Sequence, residues 1–276
     1  MYEIIGKREL APKIKQFEVA APDIAAKANP GQFVILRISE TGERIPINLA
    51  NSNTKKGTIT LVFNEVGKTT NQLGLLNQGD YIPNIAGPLG NPSEIQKFGT
   101  ILCIGGGVMI ASLLFQVSAL RKAGNKIITV IGARIKDLLF FEGELRELSD
   151  EFYVVTDDGS KGHNGVSFLK DIFHKQRIDR VTAMGPVVML KTISEMTRPL
   201  SIKTIVTLTP IMIDGMGMCG TCRVSVAGET KFACVDGPEF DGHQVDFNEL
   251  IKRQRMYLPE ERLSALLHER LRGIKS

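Results

Sequence analysis

Three cysteines gather in the stretch IDGMGMCGTCRVSVAGETKFACVDG (213–237), at Cys219, Cys222 and Cys234, with the spacing C-x2-C-x11-C. Thiolates at this spacing hold zinc or iron–sulfur centres, and both need a fourth donor. Cys103 sits alone in an apolar run and reads as a small buried hydrophobe, so it is set aside. Asp214 precedes Cys219 by five positions. The resulting D-x4-C-x2-C-x11-C has the spacing of a plant-type ferredoxin loop with its first cysteine replaced by aspartate. Gly215, Gly217 and Gly220 let the chain wrap closely and aim amides at the sulfurs. Two other readings stay open: zinc held by the three cysteines and His243, or an Asp214 that only caps a turn.

A second group stands at CIGGGVMIAS (103–112), where Gly105, Gly106 and Gly107 separate a strand pattern from a helix pattern. Glycines let backbone amides approach a ligand, and a helix start favours negative charge, so a dinucleotide pyrophosphate fits. A plain tight turn is the alternative. No acidic residue follows about 20 positions later to hold a ribose, and Arg134 stands near the end of the second strand instead. DDGSKGHNG (157–165) and MGP (184–186) add polar or glycine-rich turns at the same expected sheet edge.

The elements that must position these groups fall into regions. Residues 1–97 carry short β-patterned runs, among them 33–39, 57–66 and 79–92, bounded by Gly, Pro and Asn; the spacing predicts an antiparallel barrel or sandwich. A short helix is expected after VGKTT, with Thr69 and Thr70 as caps. Residues 98–203 alternate strands (99–106, 126–133, 151–158, 180–186) with helices (108–124, 137–149, 165–175), which predicts an open parallel sheet. Residues 204–248 form the cysteine module, and 249–276 a charged helical tail.

Composition sets limits. The 276 residues suffice for two compact domains and a small module, and 43% hydrophobic with 23% charged residues is ordinary for a globular protein. A net charge of +4 without a basic block gives nucleic-acid or membrane-surface binding no support. No apolar run reaches the roughly 18 residues of a membrane span. The first residues lack a signal-peptide pattern, and four cysteines in this arrangement are not a secreted disulfide framework. A cytoplasmic protein is expected.

A β-rich unit, a nucleotide-type sheet and a ferredoxin-spaced module, in that order over about residues 1–248, resemble the electron-transfer flavoproteins of the ferredoxin–NADP reductase superfamily. Within it the chain is similar to the electron-transfer subunits of dihydroorotate dehydrogenase. It is also similar to the small (A) subunits of NADH-dependent reduced ferredoxin:NADP oxidoreductase, also called sulfide dehydrogenase. ERIP, VGKTT, DLLFFEGEL, TDDGSKGHNG, CVDGPEFDG and the aspartate at 214 carry the likeness to the second group. The resemblance implies a multidomain β plus α/β architecture: an antiparallel FAD-binding β-barrel, a parallel-sheet nicotinamide-nucleotide domain and a small C-terminal 2Fe–2S module.

It also implies site residues. RIPIN matches the family's flavin strand loosely, giving Arg44, Pro46, Ile47 and Asn48, with Phe63 beside them; Ile45 falls where the family's arginine stands and Asn48 replaces a hydroxyl residue. Gly67, Lys68, Thr69 and Thr70 would hold FAD phosphate. NAD(H) would meet Gly105, Gly106, Gly107 and Val108, with Arg134, Asp157, Asp158, Met184, Gly185 and Pro186. Met109 and Ser112 stand where the family has glycine and proline. Asp214, Cys219, Cys222 and Cys234 would hold the cluster.

The implied partner is a larger subunit forming a heterodimer, with a second FAD whose chemistry is electron bifurcation, two 4Fe–4S clusters, and sites for NADP(H) and ferredoxin. A dihydroorotate dehydrogenase subunit is the alternative, and a non-catalytic nucleotide-binding protein with structural zinc is another.

Overall fold

The computed structural model describes residues 1–271. The barrel unit runs β1 (Tyr2–Ala11), β2 (Ile14–Ala20), α1 (Pro22–Ala25), β3 (Phe33–Arg37), β4 (Ile45–Asn53), β5 (Thr58–Asn64), α2 (Lys68–Leu75), β6 (Tyr81–Ile82) and β7 (Asn84–Leu89). Its strands form one antiparallel sheet in the order β6-β1-β2-β5-β4-β3-β7. β6 and β7 are neighbours in the chain yet occupy opposite ends of that order, so the sheet curls into a nearly closed barrel. Alternation fills it: Phe17 and Val19 of β2 point inward with Leu36, Leu49, Leu61 and Phe63. The run expected as one strand over 79–92 is split at Pro83, which cannot donate to a ladder.

The α/β unit follows: β8 (Thr100–Gly106), α3 (Ile110–Lys122), β9 (Lys126–Ala133), α4 (Glu142–Leu148), β10 (Glu151–Thr156), β11 (His163–Asn164), α5 (Leu169–Lys175), β12 (Arg180–Met184), α6 (Val187–Thr197) and β13 (Lys203–Thr207). After it come the hairpin β14 (Arg223–Val226) and β15 (Glu229–Phe232), then β16 (Glu239–Asp241), α7 (Phe247–Gln254) and α8 (Leu258–Leu271). The second sheet is ordered β11-β10-β9-β8-β12-β13-β16, parallel except for β16 against β13. β8 is buried on both faces, as a central parallel strand must be: Leu102 and Ile104 face one core, Ile101 and Cys103 the other.

Two expected boundaries move. The sheet does not end at 203, because β13 starts there and β16 returns to it from beyond the cysteines. The charged helical tail expected from 249 is α7, which starts at Phe247, and α8; Phe247 and Leu250 of α7 are buried in the same core as Cys222, Val224 and Cys234. The cysteine module therefore shares its core with one face of the sheet and with Phe33 and Ile35 of the barrel. The expected helix 137–149 shortens to α4, because Leu139 and Phe140 turn into the core and Phe141 adopts a left-handed φ of 58°. Among the described residues no helix is long and apolar enough to cross a membrane.

Candidate functional site

The loop between β13 and β14 is seated on the barrel. Gly215 has φ +73°, and a Cβ there would stand 2.7 Å from Ile35 Cγ1 and 2.8 Å from Leu89 Cδ1, so glycine is required for the loop to lie against β3 and β7. The carboxylate of Asp214 accepts from the amides of Met216 (2.9 Å) and Cys219 (2.6 Å). Those donors, the Met216 amide first, hold it below the usual carboxylate range. Asp214 thus caps the loop and lies within hydrogen-bond reach of Cys219.

The hairpin β14–β15 brings the other two sulfurs together. Cys222 precedes β14 and Cys234 follows β15; both are buried, with their sulfurs 3.2 Å apart. Burial, then the Cys222 sulfur, pushes the Cys234 thiol up to about 12. Cys219 is exposed. Burial raises its thiol, but the Thr221 hydroxyl and amide outweigh that and bring it below its ordinary value.

Three thiols and a carboxylate on one short loop and its hairpin are donor types that suit an iron–sulfur centre. The structure brings them together as two pairs, Cys222 with Cys234 and Asp214 with Cys219, and among the described residues no three of them converge as a metal site. The zinc set is not assembled, because His243 Nε2 lies 2.9 Å from the Thr197 hydroxyl and its amide donates to Asp241, on the β13–β16 side. Cys103 is fully buried in β8, and burial drives its thiol far up, as expected for a packing residue.

α7 braces this loop, which the sequence reading missed. Arg253 donates to the Thr221 carbonyl (3.1 Å) and Gln254 to that of Thr209 (3.0 Å). Asp246 caps α7 by accepting from the amides of Asn248 and Glu249, both at 3.0 Å. Its type just before an apolar residue was the available signal.

A cleft of about 440 Å³ opens where the units meet. Pro46, Ile47, Asn48, Phe63 and Thr70 line it from the barrel, and Gly106, Gly107, Val108, Gly185 and Pro186 from the carboxyl edge of the sheet. The glycines have different tasks. A Cβ on Gly105 would strike Leu113, and one on Gly106 would strike Met189 and Pro186; Gly185 packs on Gly106 in the same way. Gly107, at φ +57°, meets nothing within 4 Å, so its backbone is the part open to a ligand. Met109 and Ser112 also line the cleft. Phe33, Val62, Asn64 and Val66 of the barrel and Leu208, Thr209, Pro210, Met212 and Pro238 complete it without having been foreseen; the last five belong to the chain leading into or out of the cysteine module.

Other expected residues lie elsewhere. Arg44 is exposed and outside the cleft lining. The helix expected to be capped by Thr69 and Thr70 starts earlier, with Gly67 at its N-cap and Lys68 its first residue. Thr70 reaches back to the amides of Val66 and Gly67, both at 3.1 Å. Thr69 donates to Glu43, whose carboxylate also lies 3.7 Å from Lys68. Glu43 was not anticipated, since a hairpin far back in the chain delivers it.

Met184 is buried under the turn and packs the sheet core, so its side chain is not a cleft contact. Arg134, Asp157 and Asp158 are exposed at the ends of β9 and β10, outside the cleft lining. Asp158 is engaged by the amide (3.0 Å) and hydroxyl (2.6 Å) of Ser160, the hydroxyl first in lowering its pKa.

A barrel, a parallel nucleotide-type sheet and a ferredoxin-spaced cysteine loop around one cleft define an electron-transfer oxidoreductase with the ferredoxin-reductase-like fold. Residues 209–246 match the iron–sulfur cluster binding domain of dihydroorotate dehydrogenase B. The chain is 46% identical over 264 residues to a dihydroorotate dehydrogenase B (NAD(+)) electron transfer subunit homolog of Thermotoga maritima, covering 95% of this chain and 93% of that one. It is 34% identical to the corresponding subunit of Desulforamulus reducens, covering 88% and 96%. It superposes at a TM-score of 0.92, with 44% identity and coverage of 100% and 98%, on a chain from the structure of an NADH-dependent reduced ferredoxin-NADP oxidoreductase, studied for flavin-based electron bifurcation. The chain belongs to the family of dihydroorotate dehydrogenase B electron transfer subunits and their homologues.

Proposed function

We propose that the chain passes electrons between NAD(H), a FAD at the barrel and a 2Fe–2S cluster in the cysteine loop, and exchanges them with a larger partner subunit. The assembly is of the type of an electron-bifurcating NADH-dependent reduced ferredoxin:NADP oxidoreductase. The observation that carries this reading is the single cleft walled by all three units. When bound, the flavin supplies the conversion between two-electron hydride chemistry and the one-electron chemistry of a cluster.

The chain's own residues bind and orient. Pro46 and Ile47 give an apolar lining on the barrel side, with the Phe63 ring buried in the barrel core, and the amide of Asn48 can donate or accept at a ring edge. Gly107 leaves backbone open to a phosphate at the start of the helical segment. Leu208, Met212 and Pro238 keep water from the side that leads to the cysteines. No acid, base or nucleophile is assigned. Asp214, Cys219, Cys222 and Cys234 would hold the cluster, and Arg134 and Asp157 would stand at the adenosine end.

Ile213, Met216, Met218 and Val235 are exposed around the cysteine loop, and Leu263, Leu266 and Leu267 form an exposed stripe on α8. These surfaces are where the larger subunit would dock, with its second FAD, 4Fe–4S clusters and access to ferredoxin and NADP(H). Four unpaired thiols suit the cytoplasm. The match over 209–246 favours a dihydroorotate dehydrogenase subunit as the second reading, and the co-purifying partner separates the two.

Anaerobically purified protein should be yellow-brown, contain iron and sulfide, and bleach on addition of NADH. Colourless protein, or zinc without iron and sulfide, would overturn the reading. Asp214→Ala should change the paramagnetic resonance spectrum of the reduced cluster; an unchanged spectrum excludes Asp214 as a ligand.

A further inference from the structure

Within CVDGPEFDG the charged residues Asp236, Glu239 and Asp241 all stand outside the cleft lining, and of these Glu239 accepts hydrogen bonds from two buried side chains. We infer that Glu239 is a positioning residue whose carboxylate joins the cysteine module, the nucleotide sheet and the barrel, and so fixes where the cysteine loop stands relative to the flavin cleft. Its functional meaning rests on the proposed electron relay, whereas its geometry does not.

Glu239 opens β16, pairs with Thr207 of β13, and directly follows Pro238, which lines the cleft. The residue is half-buried, but its carboxyl end turns inward between two buried side chains. One carboxylate oxygen accepts from the Ser93 hydroxyl (2.7 Å) and from Gln116 Nε2 (2.7 Å).

Each donor is anchored in a different unit. Gln116 lies on α3, and its amide oxygen accepts from the Thr182 hydroxyl of β12 (3.0 Å). Ser93 lies in the connector from barrel to sheet, and its amide donates to the Pro30 carbonyl (2.8 Å). A Cβ at Gly31, which has φ +86°, would lie 2.3 Å from Ser93 Oγ, so that connector is pressed onto the barrel. The charges facing Glu239 are Arg180 and Glu94, paired at 2.8 Å, with the Arg180 guanidinium over the Phe98 ring.

One acceptor thus serves donors from two other units. Sliding any unit leaves a buried donor or the carboxylate unpaired, and such loss costs more than the bond itself contributes. A solvated edge-strand glutamate would have neither buried partner.

The test is hydrogen–deuterium exchange on the full chain. Glu239→Ala should accelerate exchange in segments 91–98 and 235–241 about tenfold or more, leaving β1 and β2 unchanged. Glu239→Gln keeps an acceptor and should restore protection. Ser93→Ala removes one donor to Glu239 and also the hydroxyl that accepts from Gln116 Nε2 at 2.9 Å; it should give about threefold, which decides the question if Glu239→Ala does not fold. In the cofactor-loaded protein, Glu239→Ala should slow bleaching of the cluster relative to that of the flavin after NADH addition, and Glu239→Gln should restore the ratio.

Unchanged exchange in Glu239→Ala or Ser93→Ala overturns the inference. So does lost protection with an unchanged bleaching ratio. If the unaltered protein shows no NADH-driven bleaching, the proposed relay fails, and the exchange result still decides whether the joint exists.

Discussion

Gly215→Ala tests whether the cysteine loop is held on the barrel by close backbone approach. Two penalties act together. An alanine at φ +73° carries about 1–2 kcal/mol from its left-handed conformation. Its Cβ would also overlap Ile35 Cγ1 at 2.7 Å and Leu89 Cδ1 at 2.8 Å, and forcing a carbon into a packed site costs about 1–3 kcal/mol. The sum is about 2–5 kcal/mol. Gly228→Ala is the control: at φ +80° in the β14–β15 turn it meets nothing within 4 Å, so only the first penalty applies. Urea unfolding of both variants separates backbone from contact. Gly215→Ala should also lose iron more readily, read as the decay of visible absorbance under a chelator. If the two variants unfold within about 0.5 kcal/mol of each other, the loop is not pressed on Ile35 and Leu89, and the seating argument is wrong.

Asn48→Ala should leave unfolding stability within about 0.5 kcal/mol, because its side chain has no hydrogen-bond partner among the described residues, and should weaken FAD binding about 3- to 10-fold in a fluorescence titration. Equal affinity would remove Asn48 from the flavin wall. The Glu239 carboxyl is raised above its ordinary value, chiefly by burial. The folded state then binds that proton more tightly than the unfolded one, so its contribution is full below the unfolded value and fades as pH rises through the folded one. Urea midpoints between pH 4 and pH 8 should therefore fall less in Glu239→Gln than in the unaltered protein, and identical slopes would refute this. Asp246→Ala, which removes acceptors for two α7 amides, should cost about 1 kcal/mol in urea unfolding; no change would mean that the cap is not formed.

The parallel sheet was legible because its strands are short apolar runs separated by helix-period segments, and β8, β9, β10 and β12 fall where those runs do. The barrel was less legible. β1 and β2 mix charges, and β4 mixes asparagines and a serine, with apolar residues, since none of them is buried along its whole length. The cysteines and Asp214 were readable from spacing, the glycine turn 105–107 and the MGP turn from their place after strands, and Asn48 only from the family resemblance. Lys68 and Thr69 fit a phosphate motif, yet Glu43 engages both, and nothing local to either residue announces it.

By itself the sequence determined what depends on neighbours in the chain: periodicity that makes strands and helices, glycines where φ must be positive, and a loop with sulfur and carboxylate donors at ferredoxin spacing. Tertiary structure alone decided what depends on residues brought from afar. It chose Gly107, among three adjacent glycines, as the one facing open space, and it took His243 to Thr197, away from the cysteines. It also set Ser93 against Glu239 across 146 positions. The physical reason is that a hydrogen bond or a steric limit is a property of two partners, and here the second partner arrives only when the barrel, the sheet and the hairpin have closed on one another.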